Sequence, residues 1–322
     1  MTCLPFSRAL SLLAALILLF TCTAGCTVTF QAPDLPNLPV LTPDTPTVTP
    51  IPIPTEVQPA ANGTIRIGAF NIQVFGVTKA AKPEVMEVLA RIIRTYDIVA
   101  VQEIRDSSGT ALPALLAAVN ADGSNYTYIE SVRLGRTASK EQYAYFYDRE
   151  TVAPTADGRT YPEPEGTDPF HRDPFIAPFT VLDGSFDAVY IVVHTDPDEA
   201  TEEIDALGAV VAYAREVYPQ EQDFIVLGDL NADGSYFNES GTSPLRDDGY
   251  TWLITDELDT TTKSTNATYD RIIATGPTAP DFTGDAGVFR FDTAYGLNQT
   301  MTEAVSDHYP VYAVFRTGED RD

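Results

Sequence analysis

Cysteine is almost missing from this chain: Cys3, Cys22 and Cys26 are the only three in 322 residues. If the first 25 residues are removed, one cysteine is left and no intramolecular disulfide can form. Histidine is equally sparse, with His171, His194 and His308 alone. No Cys or His pair and no His-Glu-x-x-His run supplies a zinc site. There is no glycine-rich phosphate loop and no Gly-x-Ser-x-Gly turn for an acyl nucleophile. Basic residues are few: 20 Lys and Arg face 46 acids, a net charge of −26 and a pI near 4.2. Most of such a surface repels polyanions, so a nucleic-acid partner must be held locally by cations and a few arginines.

Long apolar runs are also absent, with one exception. Residues 9–20 are apolar, follow Arg8 and lead into TCTAGC, the layout of a secretory signal. Thr23-Ala24-Gly25-Cys26 resembles the lipobox of bacterial lipoproteins, which makes Cys26 the expected lipid-bearing residue. Residues 26–62 then hold nine of the 24 prolines, in PDLPNLPVLTPDTPTVTPIPIP and its flanks. Proline fixes φ and removes a donor, so an extended stalk is expected, reaching on the order of 90 Å at about 3.1 Å per residue. The partition is signal 1–25, lipid-attachment and stalk 26–62, one domain 63–318 and a tail 319–322. The expected address is exported, as a cell-envelope lipoprotein or secreted. Nothing implies a protein partner, and a monomer is expected.

Within the domain, apolar runs at 64–72, 97–104, 142–147, 188–194, 224–230, 269–274 and 309–316 read as strands. Val85, Leu89, Ile92 and Tyr96 recur at helical spacing, as do Ile204, Leu207, Val211 and Tyr213, with Glu202 and Glu203 in a first turn where the helix dipole favours acids. Runs such as DIVAVQ and YIVVH do not alternate, which implies strands covered on both faces. The class is α/β or α+β.

Nearly every one of these strands ends in a group suited to metal or proton chemistry: Asn71, Glu103, Glu141, His194, Asp229 with Asn231, Asp270, and Asp307-His308. Each has an ordinary alternative. The asparagines and Asp229 suit turns, Glu103 with Arg105 and Asp270 with Arg271 suit surface pairs, and a lone histidine suits a structural hydrogen bond. Seven coincidences in one domain favour chemistry. Glu103, Asp307 and Asn71 could give a hard divalent ion its oxygens and leave room for phosphate. Two histidines, each oriented by a carboxylate, could move protons at neutral pH.

The ordered set FNIQVFG, YDIVAVQEIRD, LGRTASKEQYAYFY, VHTDP, LGDLNADGSY, DTTTKSTNATYDRII, FDTAYGL and AVSDHYPV resembles the endonuclease/exonuclease/phosphatase superfamily, closely its secreted deoxyribonuclease I branch. The likeness covers residues 64–316. It implies a four-layer α-β-β-α sandwich of two mixed sheets with helices outside, and metal-dependent hydrolysis of DNA phosphodiesters to 5′-phosphate ends with little base specificity. It further implies Glu141 with His194 and Asp270 with His308 as acid/base pairs, and Asn71, Glu103 and Asp307 holding Mg²⁺ or Mn²⁺. Asp229 and Asn231 would orient water and phosphate. Arg105 and Arg172 match DNA-contacting arginines. Asp168, Phe170 and Asp173, and Asp259, Thr261 and Thr265, match structural Ca²⁺ positions.

The departures are specific. Gln73 and Ser139 replace an arginine and a tyrosine that position the duplex, Gly234 and Ala267 replace disulfide cysteines, and Lys263 enters one calcium loop. Alternatives are a phosphodiesterase for sphingomyelin or inositol phosphates, and a non-catalytic DNA-binding surface lipoprotein.

Overall fold

The computed structural model describes residues 63–318 and 320; the signal, Cys26 and the stalk lie outside the described residues. The first half runs β1 (Thr64–Phe75), α1 (Val77–Ala80), α2 (Pro83–Ile93), β2 (Ile98–Ile104), α3 (Ala111–Val119), β3 (Tyr126–Glu130), β4 (Gln142–Asp148), β5 (Val152–Pro154), β6 (Arg159–Thr160) and β7 (Phe175–Val181). The second runs β8 (Asp187–His194), α4 (Ala200–Val217), β9 (Phe224–Asp229), β10 (Tyr250–Trp252), β11 (Asp270–Thr275), β12 (Phe282–Val288), α5 (Phe291–Tyr295), α6 (Gln299–Val305) and β13 (Val311–Arg316). One sheet has the order β12-β13-β1-β2-β4-β3, the other β10-β11-β9-β8-β7-β5, with β6 also on β7. Both are mixed, because β1 with β2 and β8 with β9 are parallel among antiparallel neighbours.

The period-two geometry of strands explains the non-alternating apolar runs. In β2, Ile98 and Ala100 enter the core between the sheets while Val99 and Val101 enter the core under α2 and α3. In β8, Tyr190 and Val192 face the other sheet and Ile191 and Val193 face α4. Three cores between four layers result, as the resemblance implies. Each fully buried aliphatic contributes roughly 1.5–3 kcal/mol relative to exposure.

All seven expected strands and both expected helices are present. Pro83 opens α2, where its missing N–H is harmless. Strand β7 was not expected, because FIAPFTV carries a proline in its middle. Its tolerance is positional: β5 pairs with residues 179–181 and β6 with residues 175–176, so Pro178 falls in the gap between them. Glu202 and Glu203 lie in the first turn of α4 as expected, and Glu203 is fully buried there.

Candidate active site

The parallel and antiparallel registers of β8, β9 and β11 do the first work. His194 and Asp270 are both register partners of Asp229, so three site residues lie side by side across neighbouring strand ends. On the facing sheet, Asn71 of β1 is in register with Gln102, which places Glu103 one residue further along β2. Glu141 precedes β4 and bridges to Leu134, and His308 precedes β13 and bridges to Thr261. All nine residues read as catalytic or metal-holding are brought to one end of the sandwich.

Both histidines are oriented by carboxylates. His308 Nδ1 lies 2.8 Å from Asp270 Oδ2, and His194 Nδ1 lies 2.9 Å from Glu141 Oε2. Each carboxylate fixes a proton on Nδ1 and leaves Nε2 for chemistry. The two Nε2 atoms converge on one oxygen: Asp229 Oδ2 is 3.5 Å from that of His308 and 3.6 Å from that of His194. Asn71 Nδ2 donates to the same oxygen at 2.9 Å and to Glu103 Oε1 at 3.1 Å. Asn231 donates from Nδ2 to the Thr195 carbonyl at 3.1 Å, and its own N–H donates to Asp229 Oδ1. Ser306 Oγ, not anticipated, donates to the Asn71 carbonyl at 2.6 Å and accepts from the His308 N–H, tying the end of β1 to the segment that leads into its neighbour β13.

Electrostatics follow from this packing. Burial pushes Glu141 up, but the His194 hydrogen bond and the charges of His194, Arg172 and Arg105 outweigh it and hold Glu141 at about 2. Burial and Arg172 lower His194, yet Glu141 and Asp229 raise it net. Burial also opposes the charge on His308, while Asp270 and Asp229 push it up to about 10. Burial raises Asp229, and the two histidines bring it below its ordinary value. Both imidazoles therefore hold their protons more firmly than a free imidazole while these carboxylates are uncompensated, His308 clearly so.

The fit to a divalent ion rests on donor chemistry. Glu103 and Asp307 supply hard carboxylate oxygens and Asn71 an amide oxygen, the set suited to Mg²⁺ or Mn²⁺. Burial lowers the Lys79 ammonium to about 8, against the charges of Asp307 and Glu103, which raise it. A second group of ligand-type atoms at the site, in Asp229, Asp270 and His308, has its members within 4.8 Å of one another. An ion there would take up the imidazole nitrogen left for proton transfer, so Asn71, Glu103 and Asp307 fit better.

The backbone around these donors is strained. Gln73, Val74, Glu103 and Asn231 all have positive φ, of 43°, 49°, 62° and 46°, a sparsely populated region for such residues. Val74 N–H donating to Glu103 Oε2 at 2.8 Å and Lys79 Nζ donating to the carbonyls of Ile72, Gln73 and Val305 hold the bend in place. Nothing in the sequence near Lys79 signals this. Its third acceptor is 226 residues away.

The endonuclease/exonuclease/phosphatase family matches residues 68–308. The chain belongs to this family. It is 39% identical to deoxyribonuclease-1 of Oryctolagus cuniculus over 259 residues, 77% of this chain and 92% of that protein, which puts it in the deoxyribonuclease I branch. Among solved structures, an endonuclease/exonuclease/phosphatase family protein of Bacteroides thetaiotaomicron aligns with TM-score 0.57 at 17% identity, covering 79% of this chain and 98% of that one. A mannosyl-6-phosphatase of the same organism aligns with TM-score 0.54 at 16% identity, covering 77% and 98%. These two share the fold.

The outer positions of this family member diverge more from expectation. Arg105 bridges Glu141 at 2.7 Å and Glu103 at 3.1 Å, and is 31% exposed. Arg172 is buried, donating from Nε to the His194 carbonyl and from NH2 to the Thr195 carbonyl, each at 2.9 Å. Expected as a DNA contact, it acts here as a clamp on the strand end that carries His194. Arg271 does not pair with Asp270; it is buried against Glu239 at 2.7 Å and Asp256 at 2.9 Å.

The residues matched to calcium positions lie in two loops. Asp168 is 3.0 Å from Arg136 Nε, Phe170, matched through its carbonyl, has its side chain buried in a core, and Asp173 lies against Glu163, which burial and its acidic neighbours raise to about 7. In the second loop, Asp259 Oδ1 accepts from Thr261 N at 3.0 Å, and the Thr261 hydroxyl, with one proton to donate, lies 2.9 Å from Asp259 Oδ1 and 2.5 Å from the Thr265 carbonyl oxygen. Lys263, expected inside that loop, points away from it to Asp307.

Proposed function

We propose that the protein is a divalent-metal-dependent DNA endonuclease, exported and tethered through Cys26, that hydrolyses phosphodiesters to 5′-phosphate ends with little base specificity. The observation that carries this reading is the convergence of two carboxylate-oriented imidazole Nε2 atoms on one point beside three hard oxygen donors. Its support is the deoxyribonuclease-1 likeness over nearly the whole domain.

In this reading His308, held by Asp270, takes a proton from water, and His194, held by Glu141, gives one to the leaving 3′ oxygen. Asp229 stands between them and, with Asn231 and Asn71, orients the water and phosphate. When bound, the metal stabilises the charge that develops on the phosphate oxygens. Arg172 keeps His194 in place by gripping its carbonyl.

The experiment is plasmid cleavage by the domain from residue 63, with sphingomyelin and an inositol phosphate assayed alongside. Nicking is expected with Mg²⁺ or Mn²⁺ and none in EDTA. His308→Ala and His194→Ala are expected each to lower the rate by on the order of 10²–10⁴-fold with melting temperature retained. Cleavage in EDTA, or an active double variant, refutes the mechanism. Preference for sphingomyelin or inositol phosphate refutes the substrate. For the anchor, the full chain should fractionate with membranes and Cys26→Ser with the soluble pool; identical partition of the two would refute the tether.

A further inference from the structure

Three cations stand around the proposed metal donors, and they are held differently. Lys79 is committed to three carbonyl oxygens, and Arg105 bridges two carboxylates. Lys263 is 54% exposed and makes one hydrogen bond, to Asp307 Oδ2 at 2.8 Å. The backbone beneath it is fixed. Thr262 N donates to the Asp307 carbonyl and Thr262 Oγ1 to the Ser306 carbonyl, both at 2.9 Å, and Gln299 Nε2 donates to the Thr262 carbonyl at 2.8 Å. The ammonium is thus moored beside Asp307 on a flexible four-carbon stem.

A carboxylate that carries an ammonium on Oδ2 cannot hold a divalent ion without releasing that ammonium or keeping two cations side by side. An ammonium released here meets mostly acids: Glu303 and Asp307 are the charges it feels. The anion that arrives with substrate is phosphate. Gln73, whose carbonyl accepts from Lys79, and Ser139, whose Oγ is 3.5 Å from Arg105, are uncharged.

We infer that Lys263 is an exchangeable counter-ion and phosphate-positioning residue: it neutralises Asp307 in the metal-free protein, releases it when a divalent ion is held there, and then contacts a phosphate of the bound DNA strand. The inference rests on the metal site and substrate proposed above. It makes Lys263 a competitor of the metal and a helper of the substrate, two effects that a merely structural lysine would not combine.

The test titrates Mn²⁺ calorimetrically into the DNA-free wild type, Lys263→Thr, Lys263→Gln and Lys263→Arg, and measures duplex cleavage against NaCl concentration. Both uncharged variants are expected to bind Mn²⁺ about threefold or more tighter, raise KM by a similar factor with kcat within about twofold, and flatten the slope of log(kcat/KM) on log[NaCl] by about one. Lys263→Arg is expected to keep the wild-type slope. Unchanged or weaker Mn²⁺ binding in the uncharged variants overturns the counter-ion role, and an unchanged salt slope overturns the phosphate contact. A wild type that takes up no Mn²⁺ or cleaves no DNA overturns the underlying reading instead. Since the side chain is more than half exposed, folding should survive, and a matching melting temperature verifies that.

Discussion

Glu203 occupies the first turn of α4, a place where a carboxylate ordinarily gains from the helix dipole. Its Oε1 instead turns inward to accept the His171 and Asp196 N–H groups, each at 3.1 Å. Burial raises it from 4.5 to about 7, more than those bonds and Arg172 lower it. Between these two values the folded state keeps a proton that the unfolded chain has lost, so stability falls as pH rises through that window and levels off above it. Glu203→Gln removes the ionisation, while any fixed penalty of the amide is the same at every pH. The variant should therefore gain on the wild type by roughly 1–3 kcal/mol between pH 4.5 and 8, read as a widening difference in denaturant midpoint. A difference that stays constant with pH would show that Glu203 titrates normally. The first-turn position of this glutamate was legible in the sequence and its burial was not, because burial depends on which loop folds over a helix. Lys79 and Ser306 escaped sequence reading for the same reason: their partners come from chain segments far away. Glu103, His194, Asp229 and Asp270 were legible because strand-end placement is a local pattern.

At the scale of elements, the site depends on how closely β8 and β9 approach. Gly228 precedes Asp229, has φ of 138° and is the register partner of Val193, the residue before His194. A β-carbon on it would overlap the Val193 carbonyl oxygen. The glycine is thus the reason His194 and Asp229 can sit opposite each other. Gly228→Ala should cost on the order of 2–4 kcal/mol of stability, from the unfavourable φ and the forced separation of the strands. Cleavage should fall well below wild type at temperatures where the variant is still folded. Wild-type melting and activity together would refute this account. The central strands other than the proline-bearing β7 were predictable, since they are apolar on both faces and end in chemistry. Strands β3, β5, β6, β10 and β12 were not, being short, partly solvated or, like β12 with Gly284 and Gly287, glycine-bearing. Their pairing with a pre-formed neighbour decides them, and no local pattern reports that.

For the whole molecule, the net charge of −26 sets two opposing salt effects on any DNA reaction. At low ionic strength the acidic body repels DNA over roughly 30 Å, the Debye length near 0.01 M, and salt relieves this by shortening the range to about 8 Å near 0.15 M. The local contacts behave in the opposite sense, because each cation on a phosphate contributes about −0.9 to the slope of log affinity against log salt. Of the three cations at the site, Lys79 is held by three carbonyls, while Arg105 and Lys263 have side chains 31% and 54% exposed. Two such contacts give a falling limb of about −2. Catalytic efficiency with Mg²⁺ held constant should therefore rise with NaCl, pass a maximum and then decline with that shallow slope. A basic nuclease would instead decline steeply from the lowest salt, and a monotonic slope steeper than about −5 here would mean that a basic surface outside these residues holds the DNA. The maximum distinguishes repulsion by the body from weak contact at the site, since weak contact alone gives a shallow decline with no rise.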